Sequence, residues 1–357
     1  MEFYCLDIQV TSDCNWSCSY CYQRKEKKNL DQALLKDFCE FFPLFLAEES
    51  LINFCGGEPL LAFDSIRQAT EILVQEPKVR SKSPRFTLTT NGSLMSSEAI
   101  RFFSRFRFEV LVSFDGLAQE VRRPGSRRPI SRLLDRLLDE SHILTATNSV
   151  FTPRTVNALA ASIRSLVERG IPEIYISLSN NSVWSPGPLV RLADELRVLG
   201  RWLRGFYEKQ GRMPVVDFRM PYSEGVFFCS AGRDRLALAS DGTLWGCHFF
   251  PEYFNSRPNG SESQKYCFGS LRDFIRNPEG VYRKKLKNYG PLRIDFCHTD
   301  KSFCQLCRHL ERCVVCPLAA AMTSSIIGRI PVSACRISRL LIREKELFWK
   351  DVEPAAG

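Results

Sequence analysis

The sequence predicts an α/β fold: an open, partial (β/α)6 barrel over residues 1–211, followed by a cysteine-rich unit over residues 212–350. Three observations carry this. Strand-like and helix-like stretches alternate six times in the first 210 residues, the pattern of a parallel sheet with helices outside. Six units are too few for a closed eight-stranded barrel, so the sheet is expected to stay open. After about residue 212 the alternation stops, and beyond residue 295 the chain is dense in cysteine and poor in long periodic segments.

The strands are read at 3–10, 51–55, 85–90, 108–113, 143–150 and 173–178, each short and rich in Ile, Val, Phe, Leu or Thr. Helical periodicity fills the gaps at 30–46, 63–74, 96–106, 130–140, 155–169 and 189–209. Gly170 and Pro172 stop the fifth helix before the last strand. Further on, strands are expected at 217–220 and 236–247, the latter turning at Asp241-Gly242, with a polar loop at 255–264 and a final helix at 338–350. The region beyond 295 has little apolar surface to bury, and metal ligation would supply the folding energy it lacks.

Fifteen cysteines are far too many for an ordinary chain of 357 residues. The N-terminus carries Glu2 and Asp7 and lacks the basic-then-apolar pattern of a signal peptide. No apolar run approaches the ~18 residues that span a bilayer. A cytoplasmic protein is therefore expected, where clustered cysteines bind metal or react rather than form disulfides. Ten of them lie in or beside two tight groups, while Cys5, Cys39, Cys55, Cys267 and Cys297 are scattered. Cys5 and Cys39 read as small buried hydrophobes. The net charge of +9 comes with no nucleic-acid motif and no dense basic stripe beyond 122–128, so a solvated basic surface is expected.

Cys14-x3-Cys18-x2-Cys21 lies just after the first strand, at the end where such barrels keep their active sites. Three thiolates at this spacing can hold three corners of a cubane cluster, and no fourth cysteine is near to close it. Structural zinc would need that fourth ligand too. The segment CNWSCSYC resembles the CxxxCxxC signature of radical S-adenosylmethionine (SAM) enzymes. Other strand ends agree with that family: Gly56-Gly57-Glu58-Pro59, Thr90-Asn91-Gly92, Ser113-Phe114-Asp115-Gly116 and Leu178. The resemblance implies a [4Fe–4S] cluster on Cys14, Cys18 and Cys21 whose open iron chelates SAM. It implies that Gly56, Gly57 and Glu58 hold the methionine amino group and that Ser113 meets the methionine or ribose. Tyr20 and Leu178 would pack the adenosine, with Asn91 and Asp115 completing the cofactor-binding set. One departure stands out: many relatives place Gln before GGEP, and this chain has Cys55.

The later cysteines run Cys229-x12-Gly242-x4-Cys247, then Cys304-x2-Cys307-x5-Cys313-x2-Cys316 and Cys335. They resemble a SPASM domain, whose last close pair is usually spaced by three residues. The resemblance implies two auxiliary [4Fe–4S] clusters, one on Cys304, Cys307, Cys313 and Cys335, the other on Cys229, Cys247 and Cys316. For the second, Cys267, Cys297 and His248 are candidate fourth ligands, or one iron stays open. A zinc module is the rival reading, although the five-residue gap between the close pairs is far shorter than zinc sites favour.

Together these resemblances imply a radical SAM peptide maturase that oxidises or cross-links a side chain of a ribosomally made peptide. An anaerobic sulfatase maturase making formylglycine is an alternative. Those relatives carry an Asp after the second SPASM-type cysteine, where this chain has His248, a weak candidate for a catalytic base. A non-enzymatic iron–sulfur electron-transfer protein is a third reading, but it would have no use for the SAM-binding set. Expected partners are a precursor peptide or protein substrate and a low-potential donor such as flavodoxin or ferredoxin, with neither nucleic acid nor membrane. With only thirteen residues before Cys14, leader recognition is expected to use the barrel, the C-terminal region or a separate leader-binding protein.

Overall fold

The computed structural model describes residues 1–219, 229–255, 262–293, 297–300 and 302–352. Six strands, β1 (Phe3–Thr11), β2 (Leu46–Gly56), β3 (Arg85–Thr90), β4 (Glu109–Ser113), β5 (Leu144–Phe151) and β6 (Glu173–Leu178), alternate with six long helices. These are α1 (Gln32–Phe41), α2 (Phe63–Gln75), α3 (Ser97–Arg105), α4 (Arg127–Leu138), α5 (Leu159–Glu168) and α6 (Pro186–Gln210). Each strand pairs in parallel with the next, giving the expected open, partial (β/α)6 barrel. The helices cover the outer face with apolar stripes; α4, for example, buries Ile130, Leu133, Leu134 and Leu137 at helical spacing. The first helix ends earlier than its periodicity predicts. Pro43 follows at once, and 42–45 tightens into a 3-10 turn before β2 begins.

Strand alternation puts a polar layer inside the barrel. Arg235 grips Asp7 from Nε at 2.7 Å and Nη2 at 2.6 Å, and Asn53 Nδ2 donates to it at 2.8 Å. Thr87 Oγ1 in turn donates to Asn53 Oδ1 at 2.9 Å. Three strands extend the sheet past β1. β7 (Arg235–Leu238) pairs with β1 in parallel, and β8 (Thr243–Trp245) and β9 (Gly269–Ser270) follow antiparallel. The sheet therefore continues across the expected boundary at 211/212, which falls at the left-handed cap Gly211 of α6.

The strand expected at 217–220 is not formed. Val216–Phe218 is a 3-10 turn, and Met220 lies outside the described residues. This segment instead closes the open edge of the barrel: Ile174 N donates to Pro214 O at 3.0 Å, and Ile176 N donates to Asp217 Oδ2 at 2.8 Å. The segment expected at 236–247 forms β7 and β8, which turn at Asp241-Gly242 as expected. Of the loop expected at 255–264, residues 256–261 lie outside the described residues.

The C-terminal unit is more helical than its sequence indicates. Short helices occupy Phe249–Asn255, Leu271–Arg276 and Pro278–Leu286, then α7 (Pro317–Ser324), and α8 (Val332–Val352) starts earlier than expected. Helix α8 packs on α6, with the Tyr207 and Trp349 rings 5.3 Å apart, and Trp349 Nε1 donates to Phe218 O at 2.9 Å. The cysteine-rich end keeps its own small core, in which only Cys297, Val315, Ala320 and Ile330 are fully buried. No helix among the described residues is long and apolar enough to cross a membrane.

Candidate active site

The C-terminal ends of the barrel strands meet around a cavity of about 360 Å³. The loop after β1 brings Cys14, Cys18 and Cys21 to its wall together with Tyr20. From the other strand ends come Gly56 and Gly57, Asn91, Ser113 and Leu178, and the segment after β8 contributes His248. These residues lie far apart in the chain and were all expected to serve one site.

The loop is shaped by its own hydrogen bonds and by the glycine pair beneath it. Cys21 N donates to Cys18 O at 3.0 Å, and Cys14 N to Asp13 Oδ1 at 2.8 Å. Gly57 N donates to Thr11 O at 3.1 Å and Glu58 N to Asp13 O at 2.8 Å. A Cβ on Gly57 would stand 2.1 Å from Asp13 O, and one on Gly56 2.3 Å from Thr11 O. Only glycine lets the β2 end run this close beneath the cysteine loop.

Two expected cofactor contacts stand behind the cavity wall instead. Glu58 is buried, and its carboxylate accepts from Thr90 Oγ1 at 2.6 Å, Asn91 N at 2.7 Å and Leu60 N at 3.1 Å. It ties the β2 end to the β3 end, and burial pushes its pKa up. Asp115 is also buried, accepting from Val150 N at 2.7 Å, Tyr20 Oη at 3.1 Å and Arg122 Nη1 at 3.1 Å. It thereby fixes Tyr20 on the cavity side.

Arg122 is the residue that sequence reasoning missed, counting it among a basic run. Its side chain is 7% exposed, lines the cavity and lies 5.1 Å over the Tyr20 ring. Its Nε has no hydrogen-bond partner among the described residues. Nothing local in the sequence separates it from its exposed neighbour Arg123; only the position of Asp115 does.

Cys55 also lines the cavity, but its charged neighbours are Asp7, Arg235 and Glu252, inside the barrel. Beside it, Gln23 Nε2 donates to Gly56 O at 2.8 Å. His248 Nδ1 lies 3.1 Å from Asp7 Oδ2. Burial would raise the Asp7 pKa, but Arg235 and then His248 override it and hold this carboxyl far below the usual range.

All fifteen cysteines are free thiols. Burial raises the pKa of Cys14 and Cys21, and of Cys247 and Cys316 in the second group. Three free thiols on one loop at the cavity wall suit cluster ligation, and iron would deprotonate them on binding. The donor set therefore fits a cluster better than thiol–disulfide chemistry. Among the described residues no three His, Cys, Asp or Glu side chains converge tightly enough for a single metal ion.

Cys304 feels Cys313, Cys335 and Cys307 as neighbours; burial first, then these thiols, push it up to about 11. Cys316 neighbours both Cys229 and Cys247. The candidate fourth ligands for that trio have these surroundings. Cys267 lines a separate cavity with Ser12 and Asp241, and both it and Cys247 neighbour Tyr289. Cys297 is buried in the small core of the other group, and His248 is paired with Asp7.

Comparison with known proteins agrees with this geometry. Residues 8–152 match the sequence model of the Radical SAM superfamily, and the chain carries a radical SAM domain. The serine-type anaerobic sulfatase-maturating enzyme of Klebsiella aerogenes is 29% identical over 135 residues, covering 36% of this chain and 33% of that one. The chain spans about half or less of the length of the curated relatives it matches. Over 99% of both chains the fold is that of anSMEcpe with bound AdoMet and Cp18Cys peptide, with a TM-score of 0.76 and 16% identity. Streptococcus suis SuiB bound to its precursor peptide SuiA shares the fold over 94% of this chain and 76% of that one, with a TM-score of 0.58 and 15% identity.

Proposed function

We propose that this protein is a radical SAM peptide maturase, cytoplasmic, that oxidises or cross-links a side chain of a ribosomally made peptide. The observation that carries the reading is the meeting of Cys14, Cys18 and Cys21 with the ends of β2, β3, β4 and β6 around one cavity. An electron carrier needs no such cavity. The two solved neighbours of like fold hold peptides, which favours a peptide substrate here.

When bound, a [4Fe–4S] cluster and SAM supply a 5′-deoxyadenosyl radical able to take a hydrogen atom from the substrate. The chain's own residues bind and orient. Cys14, Cys18 and Cys21 ligate the cluster. The backbone at Gly56 and Gly57 holds the methionine amino group, with Ser113 and Asn91 beside it. Tyr20, set by Asp115 and Arg122, packs the adenosine with Leu178. Glu58 braces the loops rather than touching the cofactor. His248 takes up a substrate proton at Nε2, because Asp7 accepts from Nδ1 and leaves Nε2 as the basic nitrogen. Residues 1–211 provide this site together with His248, while residues 212–350 hold two auxiliary clusters, on Cys304, Cys307, Cys313 and Cys335, and on Cys229, Cys247 and Cys316.

The test is anaerobic incubation of reconstituted protein with dithionite and SAM. 5′-Deoxyadenosine is expected, and replacing Cys14, Cys18 and Cys21 together by Ala should abolish it while the remaining iron stays bound. Unchanged cleavage by the triple variant would sink the reading. A second reading, formylglycine formation, is favoured by the end-to-end likeness to anSMEcpe. Candidate precursor peptides and sulfatase-derived peptides, compared by mass, separate the two.

A further inference from the structure

Away from the barrel mouth, an open groove of about 900 Å³ runs between the start of α6, residues 306–309 and the outer face of α8. Its floor is apolar and open to solvent, with Leu306 79% exposed and Val190 62% exposed. Contiguous apolar surface of this kind marks contact sites. Its rim is cationic, lined by Arg308, Arg336, Arg339 and Arg343. Two acids answer this charge. Glu344 accepts from Arg343 at 2.6 and 3.1 Å, and Glu346 pairs with Arg312. Arg308, Arg336 and Arg339 have no carboxylate partner among the described residues.

Cys307 lines the same groove, and Arg339 Nη2 stands 3.9 Å from its Sγ. The groove thus brings an apolar floor, a basic rim and one thiol of the Cys304–Cys307–Cys313–Cys335 group to one open surface. The other two cysteine groups are not in its lining.

We propose that this groove docks an acidic one-electron carrier protein of the flavodoxin or ferredoxin class beside the cluster on Cys304, Cys307, Cys313 and Cys335. The proposal rests on the reading above that this quartet holds a cluster. A cationic rim steers an acidic partner and speeds its arrival, while a small apolar floor permits contact that is quickly released. An acidic leader peptide would answer the same charge. The thiol in the groove wall favours the carrier, because a carrier must bring its cofactor close to a cluster and a peptide gains nothing there. On transfer the carrier loses one electron and the cluster gains one. No bond is made or broken, and the reverse step has the same balance.

The test mixes reconstituted full-length enzyme, without SAM, with flavodoxin hydroquinone under anaerobic conditions and follows semiquinone absorbance. Arg336→Glu adds a negative charge at the rim, and Val190→Glu adds one on α6, away from the cysteines. Each should slow carrier oxidation about tenfold or more at low salt, and salt should slow the wild-type reaction. Iron content and dithionite-driven SAM cleavage should stay at wild-type levels. The Cys14, Cys18 and Cys21 triple variant should still oxidise the carrier. Variants with full iron content that react at the wild-type rate would overturn the proposal, as would loss of carrier oxidation in the triple variant. So would variants that impair peptide modification with dithionite as reductant, which would make the groove a peptide site. Absence of dithionite-driven cleavage in the wild type would instead sink the radical SAM reading, and carrier oxidation would still report on the groove.

Discussion

Gly57 shows how a single residue carries the site. Its missing Cβ would stand 2.1 Å from Asp13 O and 3.0 Å from Cys14 Cβ, so any side chain there pushes the cysteine loop away. Gly57→Ala is expected to cost about 1–3 kcal/mol and to lower 5′-deoxyadenosine yield more than overall folding. Melting temperature and product yield on one preparation check this; a variant with normal yield would contradict it. At this scale the sequence was legible where a motif names a position, as at Cys14, Gly57 or Ser113. It was not legible for Arg122 and Gln23, and it named Asp115 without its hydrogen bonds to Tyr20, Arg122 and Val150. Glu58 was read as a cofactor contact because its motif is shared, but three donors already hold its carboxylate.

Among the elements, the edge segment 214–218 and the C-terminal cysteine region depend on groups that pattern alone does not reveal. Asp217 caps the edge of β6, and burial raises its pKa from 3.8 to about 6, against its hydrogen bonds and Lys345. An acid raised in the folded state holds more protons folded than unfolded between these values. Stability therefore falls as pH rises through that window and levels off above it. Asp217→Asn should remove this slope and add about 1–2 kcal/mol above pH 6, read from anaerobic melts at two pH values. An unchanged slope would show that the carboxyl titrates normally. The cysteine region has a small core of its own, built on Cys297, Val315, Ala320 and Ile330, so ligation is expected to supply much of its order. Chelation in air should make residues 297–335 the first cut by protease, about tenfold faster than in the holoprotein. Equal resistance with and without iron would refute this. The short run of β-branched and apolar residues predicted β3 and β6 to the residue: Phe86, Leu88 and Thr90 in one and Ile174 and Ile176 in the other fall on the buried face at every second position. The pattern placed a strand at 217–220 because Asp217, Phe218, Arg219 and Met220 alternate polar and apolar as a half-buried strand does.

For the whole molecule, the order of cluster sites defines the expected behaviour. Cys316 caps α7, whose far end reaches the β6 loop through Thr323 Oγ1 and Asn180 O. Cys316 itself shares a cavity with Ser177, Leu178, Ser179 and Asn180, which also line the active-site cavity, and Cys247 directly precedes His248 of that lining. Cys316→Ala should leave 5′-deoxyadenosine formation largely intact while peptide product falls about tenfold or more. Both are to be measured with the peptide present, alongside iron content. A normal ratio of product to 5′-deoxyadenosine would remove that site from the mechanism.

The sequence by itself determined the barrel, the end of it at which Cys14, Cys18 and Cys21 lie, the cysteine groups and the family resemblance. These depend on periodicity and on spacings of a few residues, which are local. Only the tertiary structure decided that β7 joins β1 and carries Arg235 to Asp7, that Asp7 orients His248, and that Arg122 is buried while Arg123 is not. It also decided that Cys307 opens on a basic groove. Each of these joins residues dozens to hundreds of positions apart, and such pairings are set by how sheets and helices pack rather than by any local pattern.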